Sequence, residues 1–196
     1  MVKKRTTQWV AILALTCSVA GAGAQIATPS AVGIDAALLA RADAGDAAAE
    51  ILVGEGYAAG KGVPVDPKQA VLWYKKAADQ GNISGELHLA ALYRDGVGKT
   101  LPRDIEQAAV WYRKAADAGD PSAQGTLGIL YAFGQGVPRS DAEAYFWLDL
   151  AAAVKSENQA QYAVNRQNVG TRITADQLSD IQYREVQWKA AHPRPE

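Results

Sequence analysis

Small and apolar residues recur along the chain at offsets of four, three and one: Ala49, Val53, Gly56 and Tyr57, then Gly85, Leu89, Leu92 and Tyr93, then Ala123, Leu127, Leu130 and Tyr131. Those offsets hold each set on one stripe of a helix. Behind each tyrosine stands a Gly-x-Gly, at Gly60 and Gly62, Gly96 and Gly98, and Gly134 and Gly136, the residues that a helix stop and a tight turn require. A second stripe follows in each case: Ala70/Trp73/Ala77, Ala108/Trp111/Ala115 and Ala144/Trp147/Ala151. Asp66-Pro67 with Gln69, Asp104 with Gln107, and Ser140 with Glu143 mark the starts of these second helices as caps. Gly81 and Gly119 close the first two, and Asp120-Pro121 opens the next first arm. The pattern predicts two helices per unit, short turns and an all-α fold.

The period is regular. Trp73 to Trp111 spans 38 residues, Trp111 to Trp147 spans 36, and Gly45 to Gly81 again 36. The two extra residues fall in the turn between Gly98 and Asp104, where an insertion leaves the buried stripes in register. Gly54, Ala90 and Gly128 each stand three residues before the tyrosine. Glycine inside a helix costs roughly 0.5–1 kcal/mol against alanine, so a minimal side chain there predicts a closely crossing helix. Units of this kind bury their apolar faces only against neighbours, which makes a stacked array.

Ala123, Leu127-Gly128, Tyr131, Gly134 and Gly136-Val137 in a first arm, with Ala70, Trp73-Tyr74, Lys76-Ala77-Ala78 and Gly81 in a second, resemble the Sel-one-like repeat, a relative of the tetratricopeptide repeat. The resemblance implies a right-handed α-solenoid of helix-turn-helix repeats closed by C-terminal capping helices. The expected boundaries are a signal peptide at 1–24, a linker at 25–33, a degenerate N-terminal repeat or cap at 34–45, repeats at 46–81, 82–119 and 120–155, capping helices at 156–191 and a tail at 192–196. The third copy departs from the pattern by closing on Val154-Lys155, and the second carries Ala90 where the family has glycine.

The N-terminus changes the picture of where the chain works. Lys3, Lys4 and Arg5 precede an apolar run from Trp9 to Ala20, and Ala22-Gly23-Ala24 offers small residues before Gln25. That order predicts a secretory signal peptide cleaved after Ala24, and hence a periplasmic or secreted protein; the alternative is a retained anchor or a lipoprotein modified at Cys17. Cleavage removes the single cysteine, so packing rather than disulfides must stabilise the mature chain. It also leaves 17 basic against 21 acidic residues, a balance that argues against nucleic-acid binding.

The tail supplies a capping-box start at Thr174-Ala175-Asp176-Gln177 and an apolar series Leu178, Ile181, Val186 and Trp188, expected to cover the last exposed face of the array; the alternative is a helix that docks on a partner. Gly98-Lys99-Thr100 resembles the end of a phosphate loop, but Tyr93 occupies the required upstream glycine position and no strand precedes it. Gly54-x-Gly56-x-x-Ala59 fits a dinucleotide fingerprint by letters inside a predicted helix, without its βαβ context. No nucleotide and no cofactor are expected. A triad or zinc site needs convergent His, Cys, Asp or Glu. The chain has two histidines, and His88 and Glu86, two apart on one helix, point about 200° apart. No catalytic or metal-ligating residues are assigned.

Recognition by shape is what remains. Seven residues before each tyrosine sit Glu50, Glu86 and Gln124, expected as an aligned polar row off the buried stripe. With His88 and Arg94 they form the candidate contact surface for a protein or peptide partner. The function expected is a non-catalytic interaction scaffold of the bacterial cell envelope, in signalling or assembly. The resemblance also permits a peptidoglycan binder or weak hydrolase, or a host-contact virulence factor.

Overall fold

The computed structural model describes residues 33–193; the predicted signal peptide lies outside them. Among these residues the chain forms nine helices: α1 (Ala36–Asp43), α2 (Ala47–Ala59), α3 (Pro67–Asp79), α4 (Ile83–Asp95), α5 (Ile105–Asp117), α6 (Pro121–Phe133), α7 (Asp141–Ala152), α8 (Gln159–Gly170) and α9 (Ala175–Ala191). From α1 to α8 each helix packs on the next. The first arms are α2, α4 and α6, and the second arms are α3, α5 and α7. Alternate helices touch as well, α2 against α4 and α6 against α8. The all-α solenoid expected from the pattern is what forms, and the only β pairing among the described residues is an isolated Val97–Leu101 bridge.

The caps act where the sequence places them. Asp66 Oδ1 accepts from the Lys68 and Gln69 N–H groups at 3.0 and 3.1 Å, Asp104 from Gln107 at 2.9 Å, and Ser140 Oγ from Glu143 at 3.2 Å. Each satisfies donors that a helix start leaves unpaired. The reciprocal half of the capping box is made at the start of α9, where the Thr174 N–H donates to Gln177 Oε1 at 3.0 Å and the Gln177 N–H returns to Thr174 Oγ1 at 3.3 Å. Gly60 and Gly134 end α2 and α6 in the left-handed conformation. One hydrogen bond frames every hairpin: the N–H at the second-arm cap donates to the carbonyl of the first-arm tyrosine, Asp66 to Tyr57, Asp104 to Tyr93 and Ser140 to Tyr131, at 2.9, 2.7 and 3.0 Å.

The close crossing predicted from the minimal side chains is present. A Cβ on Gly54 would lie 2.6 Å from the Tyr74 ring, and one on Gly128 would lie 2.7 Å from Leu148 Cγ and 3.1 Å from the Ala144 carbonyl oxygen. Trp73, Trp111 and Trp147 are all buried at equivalent positions. The Lys76 ammonium stands 3.6 Å from the centre of the Trp73 ring and Lys114 3.9 Å from that of Trp111, while Arg113 lies 5.1 Å from Trp147.

The tail breaks the pattern. Helix α8 continues the stack on α7, but α9 folds back onto α7. Ile181 is buried in the main core, and Trp188 packs partly buried against it. Trp188 reaches the α5–α6 turn, where it is the nearest group to Gly119.

Candidate functional site

The five candidate contact residues lie on the first arms, and the structure divides them. Glu50, Glu86 and Gln124 are 3%, 6% and 0% exposed, so the row lies inside the stack, contrary to its expected place off the buried stripe. Seven residues are two helical turns short by about 20°, which puts the row on the same side of the helix as the partly buried tyrosines. His88 and Arg94 remain partly exposed. His88 stacks on Tyr74 at 4.6 Å with Nε2 3.5 Å from Glu55 Oε1. Arg94 donates to both Asp95 carboxylate oxygens at 2.7 and 2.8 Å and to the Tyr112 hydroxyl at 3.0 Å. The five do not converge on one surface.

The buried row has an electrostatic logic that runs through the repeats. Glu50 Oε2 accepts from Gln80 Nε2 at 2.7 Å. Burial pushes the Glu50 carboxyl above its ordinary range, and Lys76 and Gln80 pull it back. Burial likewise raises Glu86, with Lys114 opposing and Asp117 adding to the rise, and Glu86 Oε2 is left without a partner. Lys76 and Lys114 occupy one repeat position, three residues after the tryptophan, where the third copy has Leu150. In that same copy the acid is replaced by Gln124, whose amide donates to the Ala116 carbonyl at 3.2 Å. Acid and base disappear together, as expected where a buried carboxylate is tolerated only beside a cation.

The second arms carry apolar side chains open to solvent. One residue before each tryptophan stands an apolar side chain, Leu72, Val110 or Phe146. Leu72 is 53% and Val110 49% exposed, whereas Phe146 is 4% exposed. The difference is α9. Arg184 lies 4.5 Å from the centre of the Phe146 ring and donates to both oxygens of Glu143 at 2.8 and 3.2 Å. A groove of about 430 Å³ runs between α9 and the α5–α7 pair, with Phe146, Trp147, Arg184 and Trp188 among its walls. The corresponding surface on α3 holds a groove of about 270 Å³ around Leu72 and Trp73. The stripe lies apart from the polar row expected as the contact surface, and its signal in the sequence is three apolar residues at one repeat position just off the buried face.

Among the described residues, no group of three or more His, Cys, Asp or Glu is placed to hold a metal ion. No helix among them is long and apolar enough to cross a membrane.

Stacked helical hairpins with a shared tryptophan, tyrosine and glycine framework define a repeat solenoid. The Sel1 repeat model matches residues 47–82, 83–120 and 121–154, and the chain belongs to that family. Sel1 repeats generally serve as scaffolds for protein–protein interactions. The fold is similar to that of a Sel1 repeat protein from Oxalobacter formigenes, with 32% identity and a TM-score of 0.57 over 63% of this chain and 50% of that one. The chain thus spans half the length of that protein. A protective antigen of uropathogenic Escherichia coli displaying an SLR fold is 26% identical over 78% of this chain and 40% of its own, with a TM-score of 0.45. No curated protein matches the chain.

Proposed function

We propose that this chain is a non-catalytic adaptor exported to the bacterial cell envelope, where its second-arm surface binds a partner protein in signalling or assembly. The observation that carries the reading is the pair Leu72 and Val110, each about half exposed at the same position of successive repeats. Large apolar side chains repeated along one open face favour contact with another protein. Export is supported by the basic start at Lys3–Arg5, the apolar run from Trp9 to Ala20 and the small residues before Gln25.

Affinity capture from an envelope extract tests the binding, with a Leu72→Asp/Val110→Asp variant run in parallel. The expected result is a defined partner retained by the native chain. Native chain that retains nothing above a bare resin would end the scaffold reading, and turnover of peptidoglycan fragments by the purified protein would replace it with the hydrolase. Cell fractionation tests the location: the expected species is a shortened chain beginning at Gln25 in the periplasm or medium, and an unprocessed cytosolic chain would refute export.

A further inference from the structure

Helix α9 is a helix seated on the second-arm face, and it shows what that face accepts. It covers the third copy through Ile181, Arg184 and Trp188, leaving Phe146 buried and Glu143 paired with Arg184. The first two copies present the same surface uncovered: Leu72 and Val110 replace Phe146, above buried Trp73 and Trp111. Their charges differ from those beneath α9. Where the third copy has Glu143 and Leu150, the first two have Gln69 and Gln107 with Lys76 and Lys114. An acid is lost and a base gained at each repeat, while the apolar position is kept. Lys76 is about half exposed, with Asp43 of α1 at the margin of its reach at 3.9 Å, and both ammonium groups lie over the indole rings that floor the surface. Lys75 is held apart from this set by its 2.6 Å pair with Asp79.

Resting on the scaffold reading, we infer that the face of α3 and α5 docks an amphipathic helix from a partner protein. That helix presents apolar or aromatic side chains to Leu72 and Val110 and carboxylates to Lys76 and Lys114. It lies beside α9 on the same face, as a second helix with the opposite charge. The residues by which α9 meets this face, Ile181, Arg184 and Trp188, stand three and four apart, the spacing by which a helix fills a groove. Complementary charge sets which helix is chosen.

The probe is a labelled peptide of residues 174–193 carrying Arg184→Glu and Lys189→Glu, compared with the same peptide in its own sequence. Both are titrated against the full chain by fluorescence anisotropy at low and high salt. The acidic peptide is expected to bind at least tenfold more tightly at low salt, with the advantage shrinking as salt screens it. Leu72→Asp and Val110→Asp should each weaken it at least tenfold, and Lys76→Glu with Lys114→Glu should reverse the preference between the two peptides. Phe133→Asp, at an exposed residue of a first arm, is the control that leaves binding intact, and circular dichroism confirms that each variant folds. The inference is overturned if neither peptide binds, if the own-sequence peptide binds as tightly, or if Leu72→Asp and Val110→Asp change nothing. A chain that self-associates through Leu72 assigns the face to a second copy and likewise removes the acidic helix. Envelope capture that survives Leu72→Asp/Val110→Asp sinks this inference and moves the partner off the second-arm face, while the scaffold role itself stands.

Discussion

Replacing Glu86 with glutamine while replacing Lys114 with leucine imports into the second repeat the neutral pair that the third already carries. The single changes should behave differently from the double one. Glu86 is buried with Oε2 unpartnered and its carboxyl raised by burial, against the pull of Lys114. Glutamine keeps the shape and removes the charge, so Glu86→Gln should be neutral or stabilising by up to about 1 kcal/mol at pH 8. Lys114→Leu alone takes away the opposing charge and the cation over Trp111, worth about 0.5–1 kcal/mol at an exposed site, and should destabilise by about 1–2 kcal/mol in total. In the double variant the loss of the opposing charge no longer matters, leaving a coupling of about 0.5–1.5 kcal/mol between the sites. The sign with pH follows from the raised carboxyl. Protonated Glu86 favours the fold, so its contribution is complete below the ordinary glutamate value and is lost as pH rises through the folded one. The benefit of Glu86→Gln should therefore be larger at pH 8 than at pH 4.5. Urea unfolding followed at 222 nm at both pH values measures all four corners of the cycle. Additivity within about 0.3 kcal/mol, or a Glu86→Gln penalty that persists unchanged at both pH values, would refute the pairing.

Three further outcomes are expected. Gly128→Ala adds a Cβ against Leu148 and the Ala144 carbonyl; overpacking of about 1–3 kcal/mol, partly offset by the helix preference of alanine, should leave a net loss of about 1–2 kcal/mol, read as a lower urea midpoint, and a stabilised variant would contradict the close crossing. Glu185 is buried, and burial followed by the charge of Asp149 pushes its carboxyl to about 7, with Lys189 opposing. The stability it lends is whole below about 4.5 and lost as pH rises through about 7, so Glu185→Gln should add about 1–2 kcal/mol at pH 8.5 and almost nothing at pH 4.5; equal thermal shifts at both pH values would contradict this. Arg184→Ala removes the Glu143 pair and the cation over Phe146, weakening α9 docking by about 1 kcal/mol, which limited proteolysis should report as faster cleavage within 175–191; unchanged cleavage would mean that Ile181 and Trp188 hold the helix unaided.

The hairpins were legible because each rests on local chemistry. Asp66, Asp104 and Ser140 satisfy helix starts within three residues of themselves, and the minimal residue at Gly54 and Gly128 signals a neighbour through the space it leaves. In the polar row residue type and angle point opposite ways: a glutamate suggests solvent, yet its heptad spacing from Tyr57 and Tyr93 places it indoors. Its tolerance inside depends on Lys76 and Lys114, which belong to the facing second arm, and no local rule couples the two. The return of α9 was harder still. Thr174 and Gln177 announce where that helix begins, but its stripe of Ile181, Glu185 and Trp188 fits either a continued stack or a fold back over α7. Choosing between them requires knowing that Phe146 would otherwise stand as open as Leu72.

The hydrogen bond from each second-arm cap to the first-arm tyrosine carbonyl has a consequence for how such chains change length. It is made across the middle turn, two residues longer than the first, as it is across the others. There the surplus is taken up by Val97 and Leu101 bonding to each other at 2.6 and 3.2 Å. The clasp sits at the base of the turn, so whatever is spliced beyond it hangs outside the wall of helices. That makes the stretch around Lys99 and Thr100 a natural socket for an inserted reporter or tether, one that leaves both neighbouring repeats undisturbed.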